Sequence, residues 1–352
     1  MRRRTPWIAP ALAGFAAVLL VAVAARALPW SPARNRAVVM ALARSAPVIA
    51  TGPPLSARAA PTQSHGVAAQ RTVAGAGQVA GTASRRTVAS SRVLRVNIPG
   101  PGAGISTLGG YVYLPAGYDD PVNAAARYPV LYLLHGTPGW PSDWFQPAHA
   151  AAWMDQLVAS GAIRPMILVA PTANRQHLDD SECLNAVRGP QMETYLTSDV
   201  VAYADANYRT LPDRGHRAIG GISSGGFCAL NLGLRHQDEF SVVLGLMPYG
   251  DPGSPADVTH RLLGDRPVLY QQNTPSRYLP QFTFNYPMAF FLDAGSRDSV
   301  VLSGAERLKM LIASHRQTVT LRIVLHQSHS WRMARREVPY ALSFAARELA
   351  SP

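Results

Sequence analysis

Apolar and polar positions change their spacing several times along the chain. Each spacing predicts an element. Residues 92–98 alternate apolar and polar as a half-buried strand does, and residues 110–114 follow a Gly/Pro turn as a second strand. Residues 129–134 and 166–170 are unbroken apolar runs. Runs of that length suit strands covered on both faces, and hence a central parallel sheet. Further strands are predicted over 216–220, 240–246, 288–292 and 318–325. Helical spacing appears over 150–160, 200–208, 224–236, 302–315 and 331–349. Strand and helix alternate for more than half of the chain, the signature of an open α/β sheet. Residues 250–287 break that rhythm with Pro, Gly, Asn and Arg, which predicts an insertion over one edge of the sheet.

Upstream the pattern is different. Arg2, Arg3 and Arg4 precede an uncharged run over residues 7–25, close to the roughly 20 residues a helix needs to cross a bilayer. The arginines would stay on the cytoplasmic side and the rest of the chain would be exported. The small-x-small triplet Ala25-Arg26-Ala27 also fits a signal-peptidase site, so residues 1–28 are a retained anchor or a cleaved signal. Residues 29–90 decay into Ala, Gly, Pro, Ser, Thr and Arg and read as a flexible linker. The folded domain is expected over residues 91–352.

The 352 residues carry a formal charge of +12. That balance suggests nucleic acid until its distribution is considered. Many of the arginines lie in the first hundred residues, without aromatic-basic interleaving or a nucleic-acid motif. Lys309 is the sole lysine, so part of the charge reflects arginine usage. The two cysteines, Cys183 and Cys228, exclude a four-thiolate metal site. In an exported protein they suffice for one disulfide, which would pin the segment holding Asp179, Asp180 and Glu182 against the helix after Ser223. Two unpaired buried thiols are the alternative.

Candidate chemistry centres on Gly221-Ile222-Ser223-Ser224-Gly225, a G-x-S-x-G pattern between a predicted strand and a predicted helix. A serine hydroxyl needs a histidine to take its proton and a carboxylate to orient that histidine. After the strand at 288–292 come Asp293 and Asp298. Asp298 lies beyond a glycine turn from which a side chain can reach back, and it is favoured over Asp293, with Glu306 third. His329 lies in the loop between the last strand and the last helix and is the candidate base; His326, nearer the strand, reads as structural. An oxyanion needs two preset N–H donors. Ser224 follows the nucleophile, and Thr137 lies in the turn His135-Gly136-Thr137-Pro138, where Pro138 has no N–H to offer.

Together the Leu-Leu-His-Gly-Thr-Pro-Gly turn, the Gly-Ile-Ser-Ser-Gly-Gly-Phe elbow, Asp-Ala-Gly-Ser-Arg-Asp and His-Ser-Trp resemble the putative-esterase branch of the α/β hydrolases, over roughly residues 92–349. That branch includes esterase D, enterochelin-esterase-like enzymes and the secreted mycolyltransferases. The resemblance implies an α/β-hydrolase fold. It also implies Ser223 as nucleophile, Asp298 as acid, His329 as base, and a hole made by the Thr137 and Ser224 N–H groups. No cofactor or metal is implied, and the partner is a small-molecule or lipid ester. Mycolyltransferases carry a glutamate acid and an Asp-Gly-Leu turn, so this chain favours ester hydrolysis over acyl transfer to a sugar or lipid hydroxyl. A cell-surface binding domain that keeps the fold without the chemistry is the expectation from a different class.

Overall fold

A computed structural model describes residues 90–174 and 180–350. All belong to one unit of the chain, Thr82–Pro352. The expected anchor or signal, and the linker up to residue 89, lie outside the described residues. Among the described residues no helix is long and apolar enough to cross a membrane.

In chain order the main elements are β1 (Arg92–Gly100), β2 (Ile105–Leu114), β3 (Val130–Leu134), α1 (Ala150–Ala159), β4 (Ile167–Pro171), α2 (Val200–Asn207), β5 (Arg217–Ile222) and α3 (Ser224–Arg235). Then follow β6 (Val242–Leu246), α4 (Pro255–Arg261), α5 (Pro267–Gln272), α6 (Pro275–Tyr278), β7 (Ala289–Gly295), α7 (Ser299–Ser314), β8 (Thr318–Val324) and α8 (Trp331–Glu348). The strands form one sheet in the order β1-β2-β4-β3-β5-β6-β7-β8. The β1–β2 and β2–β4 pairs are antiparallel, and every later pair is parallel.

Side-chain alternation explains the two layers of helix. From β3, Val130, Tyr132 and Leu134 join a core that also holds Val200 of α2, Phe227 of α3 and Leu308 of α7. Leu131 and Leu133 point the other way, into a core with Met154 of α1 and Phe344 of α8. A strand buried on both faces must be apolar at every position. That is why β3 and β4 read as continuous runs. The insertion over 250–287 forms the three short helices α4 to α6. Its Tyr270 packs with Val258 and Leu262 against Leu184 and Ala186, while Tyr278, Phe282 and Phe284 pack onto the first core. Most of its aromatics therefore fill structure, although Tyr286 stays exposed.

Two features hold the site-bearing end of the sheet. The first is the approach of α3 to β3 and β5. A side chain on Gly221 would collide with the Gly225 carbonyl, and one on Gly225 with the carbonyls of Leu134 and His135. The second is a buried acid on β7. Asp293, which the sequence places just after the strand, lies inside β7, opposite Leu246, fully buried, because β7 runs on to Gly295. Its Oδ1 accepts the Met247 N–H at 2.7 Å. Burial, above all, pushes its carboxyl up to about 8. The nearby Glu337 carboxylate adds to that rise, against the Met247 hydrogen bond and Arg322.

Both features generate expectations. Gly225→Ala forces a Cβ into backbone that has nowhere to move and is expected to cost about 2 kcal/mol or more, read by urea unfolding. For Asp293 the folded carboxyl holds its proton to about pH 8, whereas the unfolded one releases it near pH 4. The folded state therefore binds more protons across that window, and stability falls as pH rises through it. Asp293→Asn keeps an acceptor for Met247 without the titration. Its melting temperature is expected to gain on that of the wild type from pH 5 to pH 8; a gap constant with pH would contradict this.

Candidate active site

The site is built where the parallel strands end. In an open α/β sheet, ligands bind outside the carboxyl ends of the strands. There β5 turns into α3 through Ser223, whose backbone has φ 58° and ψ −119°. That is costly for a residue with a Cβ. The turn is held by the Ser223 N–H, which donates to Leu246 O at 2.9 Å, and by Phe227, whose N–H returns to Ser223 O at 3.0 Å. Ser223 is partly exposed, while Ser224, the first residue of α3, is buried.

The loop after β3 comes to the same place. A Cβ on Gly136 would stand 3.2 Å from that of Ser223, so the two turns pack directly on each other. His135 is buried and joins two loops: its Nδ1 lies 2.8 Å from Gly136 O, and its Nε2 accepts the Ala173 N–H at 3.0 Å. Those partners favour the tautomer with the proton on Nδ1. The Ser224 hydroxyl donates to Thr137 Oγ1 at 3.0 Å, and the Asn174 side-chain amide donates to the same oxygen at 2.7 Å. The backbone N–H groups of Thr137 and Ser224 have no acceptor among the described residues.

Asp298 and His329 meet beyond β7 and β8. Asp298 is the N-cap of α7, with Oδ1 accepting the Val301 N–H at 3.2 Å. Its Oδ2 lies 3.2 Å from His329 Nδ1. One carboxylate thus caps a helix and orients an imidazole. Asp293 is committed to Met247, Glu306 is exposed, and His326 adopts φ 62° with its N–H donating to Ser296 Oγ at 2.9 Å. The structure therefore brings together Ser223, Ser224 and Thr137 in one group and Asp298 with His329 in another. No hydrogen bond between His329 and Ser223 is formed among the described residues. Such bonds commonly tighten only once substrate is bound.

Cys183 and Cys228 are joined by a disulfide with Cα atoms 5.6 Å apart, and the bridge ties residues 180–183 to the second turn of α3. The sequence places Asp180 and Glu182 in the segment such a bridge would pin against α3, but assigns neither a role. Asp180 lies against the Thr137 and Ser224 hydroxyls, and buried Glu182 receives a hydrogen bond from the Tyr249 hydroxyl. Burial, first of all, raises both carboxyls, Glu182 to about 8. Only the proximity of these acids to the cysteine hinted at this. Among the described residues no group of three or more His, Cys, Asp or Glu is placed to hold a metal ion.

Several known proteins are similar to this chain. A protein from Corynebacterium glutamicum, Cgl0967/cg1104, is 26% identical over 242 residues, 66% of this chain and 56% of its own length. An endo-1,4-beta-xylanase/feruloyl esterase from Xylanibacter ruminicola is 32% identical over 130 residues, 37% of this chain and 18% of its own. The match thus spans about half or less of these curated relatives. Among solved structures, a ferulic acid esterase superposes with a TM-score of 0.66 at 28% identity, covering 74% of this chain and 99% of that one. The model of the family described as "Putative esterase" matches residues 106–332, which include the elbow, the Thr137 turn, Asp298 and His329, and the chain belongs to that family.

Proposed function

We propose that this chain is an exported serine esterase that cleaves carboxylic esters through Ser223, His329 and Asp298. The observation that carries the reading is the strained Ser223 elbow set on the Thr137 turn, with an oriented histidine on the adjoining strand ends. In this reading His329 Nε2 takes the Ser223 proton as the hydroxyl attacks the ester carbonyl, while Asp298 holds Nδ1–H and stabilises the imidazolium. The unpaired Thr137 and Ser224 N–H groups receive the oxyanion. Collapse of the adduct expels the alcohol, which takes its proton from His329. Water, deprotonated by the same imidazole, then releases the acid from the acyl-serine.

The similarity to a ferulic acid esterase makes a hydroxycinnamoyl ester the first substrate to try. Export rests on Arg2–Arg4 followed by the apolar run 7–25, which would anchor the domain outside the membrane or be cleaved to release it. The disulfide agrees with an oxidising compartment.

A fluorophosphonate probe is expected to label the wild type and not Ser223→Ala. His329→Ala and Asp298→Asn should lower kcat on an ester by at least about a hundredfold. A folded wild type that takes no label would overturn the assignment. Export also has its own readout: the full chain recovered from cells and treated with a maleimide before any reductant should show no free thiol. Two reactive thiols would count against an oxidising destination.

A further inference from the structure

The segment 180–183 is too costly for a loop that merely closes a gap. Glu182 and Cys183 are consecutive non-glycine residues with φ 47° and 52°. Such backbone is strained for a residue with a Cβ and persists only where its surroundings over-determine it. Here they do. Ser181 N–H donates to Asn174 Oδ1 at 3.1 Å, its hydroxyl donates to Ala173 O at 2.7 Å, and Cys183 N–H donates to Ser181 Oγ at 3.0 Å. The disulfide then fixes Cys183 to α3. The outcome of this strain is to hold two carboxyls beneath the elbow.

Glu182 is 3% exposed. A Cβ on Gly253 would stand 2.7 Å from its Oε1, so glycine is what admits the carboxyl there. Its Oε2 is 3.4 Å from the Tyr249 hydroxyl, which in turn reaches the Ser224 side chain. The Tyr249 ring lies parallel to Phe227 of α3, with centroids 5.4 Å apart. Asp180 accepts the Glu182 N–H at 3.0 Å and sits on the Thr137 and Ser224 hydroxyls. Both residues expected to supply the oxyanion N–H groups are thus held through their side chains by this acid pair and its tyrosine.

We infer that Glu182 is a positioning residue for ester cleavage, holding Tyr249 beneath Ser224 and the oxyanion hole. The inference rests on the hole assigned to Thr137 and Ser224. The charged and titratable groups facing Glu182 among the described residues are Asp180, Tyr249, Arg261 of α4 and Tyr270 of α5. Burial and the Asp180 carboxylate outweigh the Gly253 N–H, Arg261 and Tyr249, so the proton stays until about pH 8. Its loss adds a negative charge to the Asp180–Glu182 pair, whose Asp180 packs against Thr137 and Ser224. No N–H of the hole is removed, and the Tyr249 hydroxyl still donates to Glu182 Oε2, but the transition state is opposed by like charge.

The test measures kcat and KM for p-nitrophenyl acetate from pH 5.5 to 9.5, using the full-length wild type, Glu182→Gln and Tyr249→Phe, with each preparation also labelled by a fluorophosphonate. The wild type should lose kcat by roughly tenfold or more above about pH 8, as a like charge is added near the forming oxyanion. Glu182→Gln, which keeps an acceptor for Tyr249 but cannot ionise, should lack that alkaline fall whatever its kcat at pH 6. Tyr249→Phe should lower kcat severalfold at pH 6 with KM unchanged. A wild type without the fall, a Gln variant that keeps it, or a Phe variant with wild-type kcat overturns the inference while Ser223 labelling stands. Absence of labelling at Ser223 overturns the site itself, and this inference with it.

Discussion

The close approach of α3 to the strands is the constraint from which the site follows. Its first turn lies so near β3 and β5 that Gly221 and Gly225 have no room for a Cβ. The chain can enter such a helix only by reversing sharply, and the residue at the reversal is forced to φ 58°. That residue is Ser223. Its hydroxyl stands at the carboxyl edge of the sheet because the helix cannot sit elsewhere. The strain at one residue is offset by the buried packing of Phe227, Leu230 and Leu234 behind it.

The same packing brings the remaining groups into reach. Gly136 lets the β3 loop rest on Ser223, and buried His135 fastens that loop to the one after β4. Asp298 begins α7, so its position is fixed by the helix it caps as well as by His329. The disulfide extends the rigid unit to Glu182 and Asp180. A set of turns on different strands thereby acts as one body, which is what preset electrostatics at a reacting carbonyl requires.

Carboxylates illustrate how environment assigns work to chemically similar groups. Asp298 is solvent-accessible in part, hydrogen-bonded to a helix N-terminus and beside an imidazole. Asp293, five residues earlier, is sealed in the sheet and raised by burial. Glu337, also fully buried, is paired with Arg322 at 2.6 Å. Only the first has both a charge-stabilising partner and access to the open edge, and this separates a candidate triad acid from structural acids.

Much of this was legible in the chain itself. The unbroken apolar runs of β3 and β4 announced a sheet covered on both faces, and Gly221, Ser223 and Gly225 marked the elbow because only glycine fits where backbone meets backbone. The order Ser223, Asp298, His329 followed from which loops follow which strands. The sequence also determined that two cysteines could make a single bridge. Tertiary structure decided what periodicity does not carry. Strand spacing could not tell whether Asp293 faced the core or the site, because that depends on where β7 ends relative to β6. Nor could it show the Asp180 and Glu182 carboxyls beneath Thr137 and Ser224, since that arrangement joins segments from three parts of the chain. Spacing along a chain reports which face a residue shares with its neighbours; the depth of a carboxyl, and hence its charge, depends on what other segments pack over it.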